Sequence, residues 1–114
     1  MKESIQQRLQ KLAERFEEVG HLLGSPEVAG NSQQFRDLSM EYSRLQPLAD
    51  RFARYRGLED DLAASRALQN DADAGMRELG DEEAARLQQE LGVEADELRT
   101  DTYRSSGEIG RAHV

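Results

Sequence analysis

The sequence predicts an all-α fold: an antiparallel hairpin of two long helices, a shorter third helix and a disordered C-terminal tail. The large apolar residues between Gln33 and Leu68 recur every three or four positions, which is the spacing of one helix face. Ile5 to Leu23 shows the same spacing. Charged residues make up 33% of the 114-residue chain and aromatic residues 5%, which favours solvent-exposed helices over a compact α/β enzyme. Each long helix has one apolar stripe, so the two are expected to pair.

The first helix is predicted to begin at Ser4, with Gln7 completing a capping box. Gly24 and Pro26 are expected to end it, because glycine suits the position after a helix and proline cannot continue one. A single helical turn is predicted after Ser25, with Pro26 in its first position.

The second long helix is predicted to start after Asn31, whose side chain can cap the backbone N–H of Gln34. Pro47 removes one backbone hydrogen bond inside the apolar pattern. The spacing nevertheless continues on both sides of it, so we expect a kink, or a short break and restart.

A third, weaker helix is predicted from Met76 to about Gly92, with an interruption at Gly80. No apolar period follows Val93, so residues 93–114 are expected to form a loop and a tail. The residues expected to be among the most buried are those that step along the two long helices: Leu12, Phe16, Val19, Phe35, Leu38 and Tyr42.

The net charge of −8 is concentrated in the second part of the chain. Residues 1–70 hold 10 basic and 11 acidic side chains, and residues 71–114 hold 5 and 12, a net of −7. Such a chain is a poor general binder of nucleic acid. A local RNA contact would involve Arg44, Arg51 and Arg54, and the alternative is that these arginines form a solvated helix face.

The residues indicate no catalytic, cofactor-binding or metal site and no small-molecule substrate. Glu18 and His21 have the Glu-x-x-His spacing of metal-binding helical bundles, but such sites need a second copy, so a surface salt bridge is the preferred interpretation. The chain has no cysteine, phosphate-binding loop or dinucleotide-binding motif. No apolar run approaches the ~20 residues needed to cross a bilayer, so we expect a cytoplasmic protein without membrane contact.

Two segments resemble bacterial class I peptide chain release factors, and release factor one in particular. Gln34 to Pro47, QFRDLSMEYSRLQP, resembles the run F-R-x-L-S-x-E-Y-x-x-L-x-P of the family's N-terminal helical domain. Asp96 to Gly107, DELRTDTYRSSG, resembles D-L-R-x-D-T-Y-R-S-S-G, which leads into the family's catalytic Gly-Gly-Gln loop. This chain continues instead with EIGRAHV, without Gly-Gly-Gln, and the stop-codon-reading domain expected between the two segments is absent.

The resemblance implies a function in translation termination through a non-catalytic helical arm that contacts the ribosome near its stalk base. Residues 1–92 would form that arm, and 93–107 the fragment that approaches the catalytic loop. Residues 108–114 resemble a translated sequencing adapter and are expected to be non-native, with a truncated paralogue as the alternative. Weak self-association is a further expectation. A different class of function, a structural or regulatory coiled-coil module unrelated to the ribosome, also fits the helical pattern.

Overall fold

The computed structural model describes the backbone of residues 1–111 and the side chains of residues 1–104. In this part of the chain all regular structure is helical. The helices are α1 (Glu3–Leu23), α2 (Pro26–Ala29), α3 (Ser32–Leu68) and α4 (Ala74–Arg111). The predicted all-α fold is confirmed.

Helix α3 is the centre of the molecule, and both α1 and α4 pack against it in antiparallel orientation. The predicted pairing of the two long helices is therefore confirmed, although α4 contacts α3 over a greater length than α1 does. The molecule measures 61 × 37 × 17 Å, and its radius of gyration is 19.0 Å. A compact domain of this size would have a radius of about 13 Å. The fold is thus one flat layer of helices.

Three apolar clusters follow one another along α3. Val19, Val28 and Leu38 form the first cluster, where α1 and α2 meet the start of α3. The middle cluster joins α1, α3 and α4 through Leu9, Phe52, Tyr55 and Leu98. The third cluster joins the end of α3 to the first half of α4 through Leu62, Ala84 and Leu87.

Five of the six residues predicted for the core lie between α1 and α3 and lose surface there. Val19 and Leu38 are buried, while Leu12, Phe16 and Tyr42 are half-buried. The prediction for Phe35 is wrong, because 44% of this residue is exposed. It lies one turn before Leu38 on the same side of α3, but Val19 and Val28 cover Leu38 and leave Phe35 uncovered.

The helix ends agree with the sequence where a side chain fixes them. Asn31 accepts a hydrogen bond from the backbone N–H of Gln34 (3.1 Å), as predicted. Ser25 and Pro26 begin α2 as predicted. The predicted start of α1 at Ser4 is wrong, since the cap is Lys2 and no side-chain cap bond forms there. Helix α3 continues through Pro47, so the predicted alternative of a break and restart is not realised.

Helix α4 departs most from the sequence prediction. It has 38 residues, so it is not shorter than α3, which has 37. Gly80 does not interrupt it and Gly92 does not end it. The loop predicted after Gly92 is wrong for residues 93–104, which are helical and carry the buried residues Leu98 and Thr102. Of the predicted tail at 108–114, the side chains and residues 112–114 lie outside the described part.

Candidate functional site

The sequence run Gln34 to Pro47 divides between two faces of α3. One face packs against α1 through Leu38, Glu41, Tyr42 and Leu45. The other face, which includes Phe35, Arg36 and Ser39, lines an open groove that neither α1 nor α4 fills. The motif therefore contains a structural half and an exposed half, and only the exposed half can meet a partner.

The inner face is fixed by an aromatic stack and a two-point ion pair. The rings of Phe16 and Tyr42 stack with centroids 4.5 Å apart. Arg15 donates from Nε to Glu41 Oε2 (2.6 Å) and from Nη2 to Glu41 Oε1 (2.8 Å). These hydrogen bonds, with the charge of Arg15 and then of Arg44, hold the pKa of Glu41 below its usual range despite partial burial. These contacts join α1 to α3 on a face that does not line the groove.

The groove combines apolar side chains with hydroxyl groups and one guanidinium. Phe35 and Met40 are its large apolar residues, exposed by 44% and 67%. The full lining is Ala29, Ser32, Phe35, Arg36, Ser39, Met40 and Ser43. A surface with an apolar centre and polar neighbours is typical of a protein interaction site.

Pro47 adds a hydrogen-bond acceptor at the edge of this groove. Proline has no N–H, so the carbonyl of Ser43, four residues earlier, loses its donor within the helix. Ser43 is exposed and lines the groove. A partner that offers an N–H or O–H group can satisfy this carbonyl, and the proline thereby contributes to the surface as well as to the helix.

Two of the three arginines predicted as a local RNA contact are occupied within the molecule. Arg51 Nη1 lies 2.6 Å from Glu97 and 3.4 Å from Asp101 of α4. Arg54 Nε lies 3.6 Å from Glu94 Oε1. Arg44 is exposed on the same helix. Arg51 is therefore engaged by α4, whereas the Arg54 side chain is still 71% exposed.

The row of carboxylates on α4 that forms ion pairs with Arg51 was not identified from the sequence. Glu94, Glu97 and Asp101 are spaced three and four residues apart, so they share one face of α4. That spacing is the available signal, and it predicts a row of acids facing a partner helix once residues 93–104 are treated as helical.

In the described part of the chain, the structure does not support a metal site or a membrane-spanning helix. The predicted salt bridge between Glu18 and His21 is wrong, since Glu18 Oε1 pairs instead with Arg15 Nη1, 3.3 Å away. Among the side chains of residues 1–104, no cluster of three or more His, Cys, Asp or Glu could hold a metal ion. Among the described residues, no helix has both the length and the apolar character that a bilayer crossing requires.

The second sequence run, from Asp96, lies on α4 against the other two long helices. Thr102 is buried, and its hydroxyl donates to the carbonyl of Leu98 (2.7 Å). Asp101 faces Arg51 as described above, while Tyr103 and Arg104 are exposed. Up to residue 104, this run serves helix packing in this chain.

The comparison with known protein families gives a match to the PCRF domain over residues 12–104. The matched range is more than half of the chain and includes α3 in full, the groove and most of α4. No solved structure matches significantly.

Proposed function

Because this chain belongs to the PCRF domain family, the class I peptide chain release factor-like N-terminal helical region, we propose that it functions in translation termination as a ribosome-binding helical arm. The arm carries no catalytic group and works in the cytoplasm. The observation that supports this function best is the match itself, which spans α3 and the motif that builds the groove.

The contact surface we propose is the groove on α3. Its apolar residues, Phe35 and Met40, stand out of a helix whose opposite face is already used by α1. Exposed aromatic and methionine side chains are over-represented where proteins bind partners. Arg36 can pair with an acidic or phosphate group beside the apolar contact. A protein component of the stalk-base region, with RNA next to it, would meet both requirements.

Co-sedimentation of the 114-residue chain with purified ribosomes tests this proposal. We expect Phe35→Ser or Met40→Ser to weaken binding by about tenfold, since central apolar contacts carry much of the free energy of an interface. Met76→Ser is the matched control, because Met76 is exposed by the same 44% as Phe35 but lies outside the groove.

Two outcomes would contradict the proposal: no binding of the unmodified chain, or equal loss in the groove variants and in Met76→Ser. Analytical ultracentrifugation of the same samples measures the weak self-association that the sequence predicts. It also shows whether any change in pelleting comes from assembly of the chain itself.

A further inference from the structure

We propose that residues 93–104 of α4, here termed the strap, form a detachable unit whose docking on α1 and α3 is controlled by ionic strength through Arg51. The first half of α4, up to Leu91, remains docked when the strap opens. Detachment of the strap does not require ribosome binding. Three features of the strap support it: its own packing site, a group of ion pairs around Arg51 and a glycine in the helix at its start.

The strap packs in a different place from the rest of α4. Its buried residue Leu98 lies in the middle cluster with Leu9, Phe52 and Tyr55, and the buried Thr102 lies near Ile5 of α1. In the preceding part of α4, Ala84 and Leu87 pack in the third cluster and Leu91 lies against both clusters. Only the strap half of α4 supplies a buried residue to a cluster shared with α1, so opening it leaves the third cluster intact.

Charge pairs across the helix interface hold the strap. Arg51 lies within ion-pair distance of Glu94, Glu97 and Asp101, at 4.0, 2.6 and 3.4 Å. Arg54 adds a contact to Glu94 at 3.6 Å. Without Arg51, three carboxylates on one helix face would repel each other.

Glu94 makes this group of ion pairs sensitive to the loss of Arg51. Its side chain is 12% exposed, and its Oε2 atom is buried without a hydrogen-bond partner among the described residues. The nearest ion-pair contact of that oxygen is Arg51 Nε, 4.0 Å away. A carboxylate held in this way is stable when its cation is present and costly to bury when the cation is removed or screened.

Gly92 is the weak point where the strap meets the rest of α4. Glycine in a helix interior is less favourable than alanine. A Cβ atom at Gly92 would meet nothing within 4 Å, so no packing explains the glycine. Val93, the next residue, is 58% exposed and therefore contributes little buried apolar surface at this position. Opening at this position frees the segment that resembles the approach to the catalytic loop.

Amide hydrogen exchange on the full chain tests whether the strap opens separately from the rest of α4. The quantity compared is the protection of residues 94–104 divided by the protection of residues 80–91. Raising NaCl from about 0.05 M to 0.5 M shortens the range of ionic interactions severalfold, and we expect the ratio to fall about tenfold. Arg51→Gln should lower the ratio at low salt and remove most of its salt dependence. Arg86→Gln is the matched control, since Arg86 pairs with Glu83 and Glu90 inside α4.

Stiffening the helix should have the opposite effect. Gly92→Ala is expected to raise the ratio, whereas Gly57→Ala, at an equally open site in α3, should leave it unchanged. If Arg51→Gln unfolds the whole chain, the protection ratio of Glu97→Gln and the salt dependence of the ratio in the unmodified protein test the proposal instead. The proposal is overturned if both halves of α4 exchange as one unit at every salt concentration, or if Arg51→Gln and Arg86→Gln behave alike.

Discussion

Arg15 of α1 and Glu41 of α3 are joined by two parallel hydrogen bonds, 2.6 and 2.8 Å long, across the helix hairpin. The fork of the guanidinium matches the two carboxylate oxygens, which fixes direction as well as distance. This pair sits beside the stacked rings of Phe16 and Tyr42. The pair and the stack together join α1 to α3 beside the first apolar cluster.

Glu41→Gln is expected to lower the free energy of unfolding at pH 7 by about 0.5–1 kcal/mol, a value limited by screening because 39% of the Arg15 side chain is exposed. The folded state lowers the pKa of Glu41, so this contribution is complete above the unfolded value, near 4.3. It is lost as the pH falls through the folded pKa. Urea unfolding at pH 7 should show a lower free energy of unfolding for Glu41→Gln than for the unmodified chain. In strong acid this difference between the two proteins should disappear. The exposed Glu17→Gln on α1 is the control, and an equal loss in both variants would count against the pair.

Leu9→Ala should cost about 2–5 kcal/mol, because Leu9 is 1% exposed in the cluster that joins all three long helices. Leu79→Ala, at a site exposed by 44%, should change the free energy of unfolding by less than about 0.5 kcal/mol. Thermal melting followed by circular dichroism compares them. Melting of Leu9→Ala within a degree or two of the unmodified chain would contradict the three-helix packing.

Two glycine-to-alanine changes should have opposite signs. A Cβ atom at Gly80 would lie 2.7 Å from the Ser65 carbonyl oxygen and 2.9 Å from the Gln69 nitrogen, which are backbone atoms and cannot turn aside. Gly80→Ala therefore forces α3 and α4 apart and should destabilise the chain by about 1–3 kcal/mol. Gly57→Ala meets nothing within 4 Å and should stabilise by up to about 1 kcal/mol. Urea midpoints measure both, and destabilisation by Gly57→Ala would indicate a contact that the fold does not contain.

The sequence predicts α1 and α3 well because strong, local signals define them. Large apolar residues recur at helical spacing, and Asn31 and Pro26 mark boundaries by their own chemistry. The prediction of Ser4 as a cap is wrong because the helix starts without a side-chain cap, and the backbone N–H groups of Ile5 and Gln6 donate to the carbonyl of Lys2.

The length of α4 could not be predicted from apolar spacing, because its buried face changes along the helix from large apolar residues to small and polar ones. Leu87 and Leu91 are followed at helical spacing by Ala95, Leu98 and Thr102, and two of these three are small or polar. Glycine propensity also argued against a continuous helix, yet at Gly80 the missing side chain is what allows close approach to α3. Tertiary packing here overrides a weak local preference.

The candidate surface was only partly predictable. The motif around Phe35 could be found, but periodicity alone assigns Phe35 to the core. Its exposure is a matter of tertiary packing, because Val19 of α1 and Val28 of α2 cover Leu38 and leave Phe35 uncovered. The pairing of Arg51 with α4 likewise requires the strap to be helical.

A peptide-release assay with competition tests the central claim most directly. Ribosomes carrying labelled peptidyl-tRNA at a stop codon are given saturating amounts of the 114-residue chain, first alone and then with a complete class I release factor. We predict no release above the factor-free background, together with slower release by the complete factor. Phe35→Ser should compete less well than Met76→Ser. Release by the chain alone, or no competition at saturation, would contradict the account of a ribosome-binding arm without catalysis.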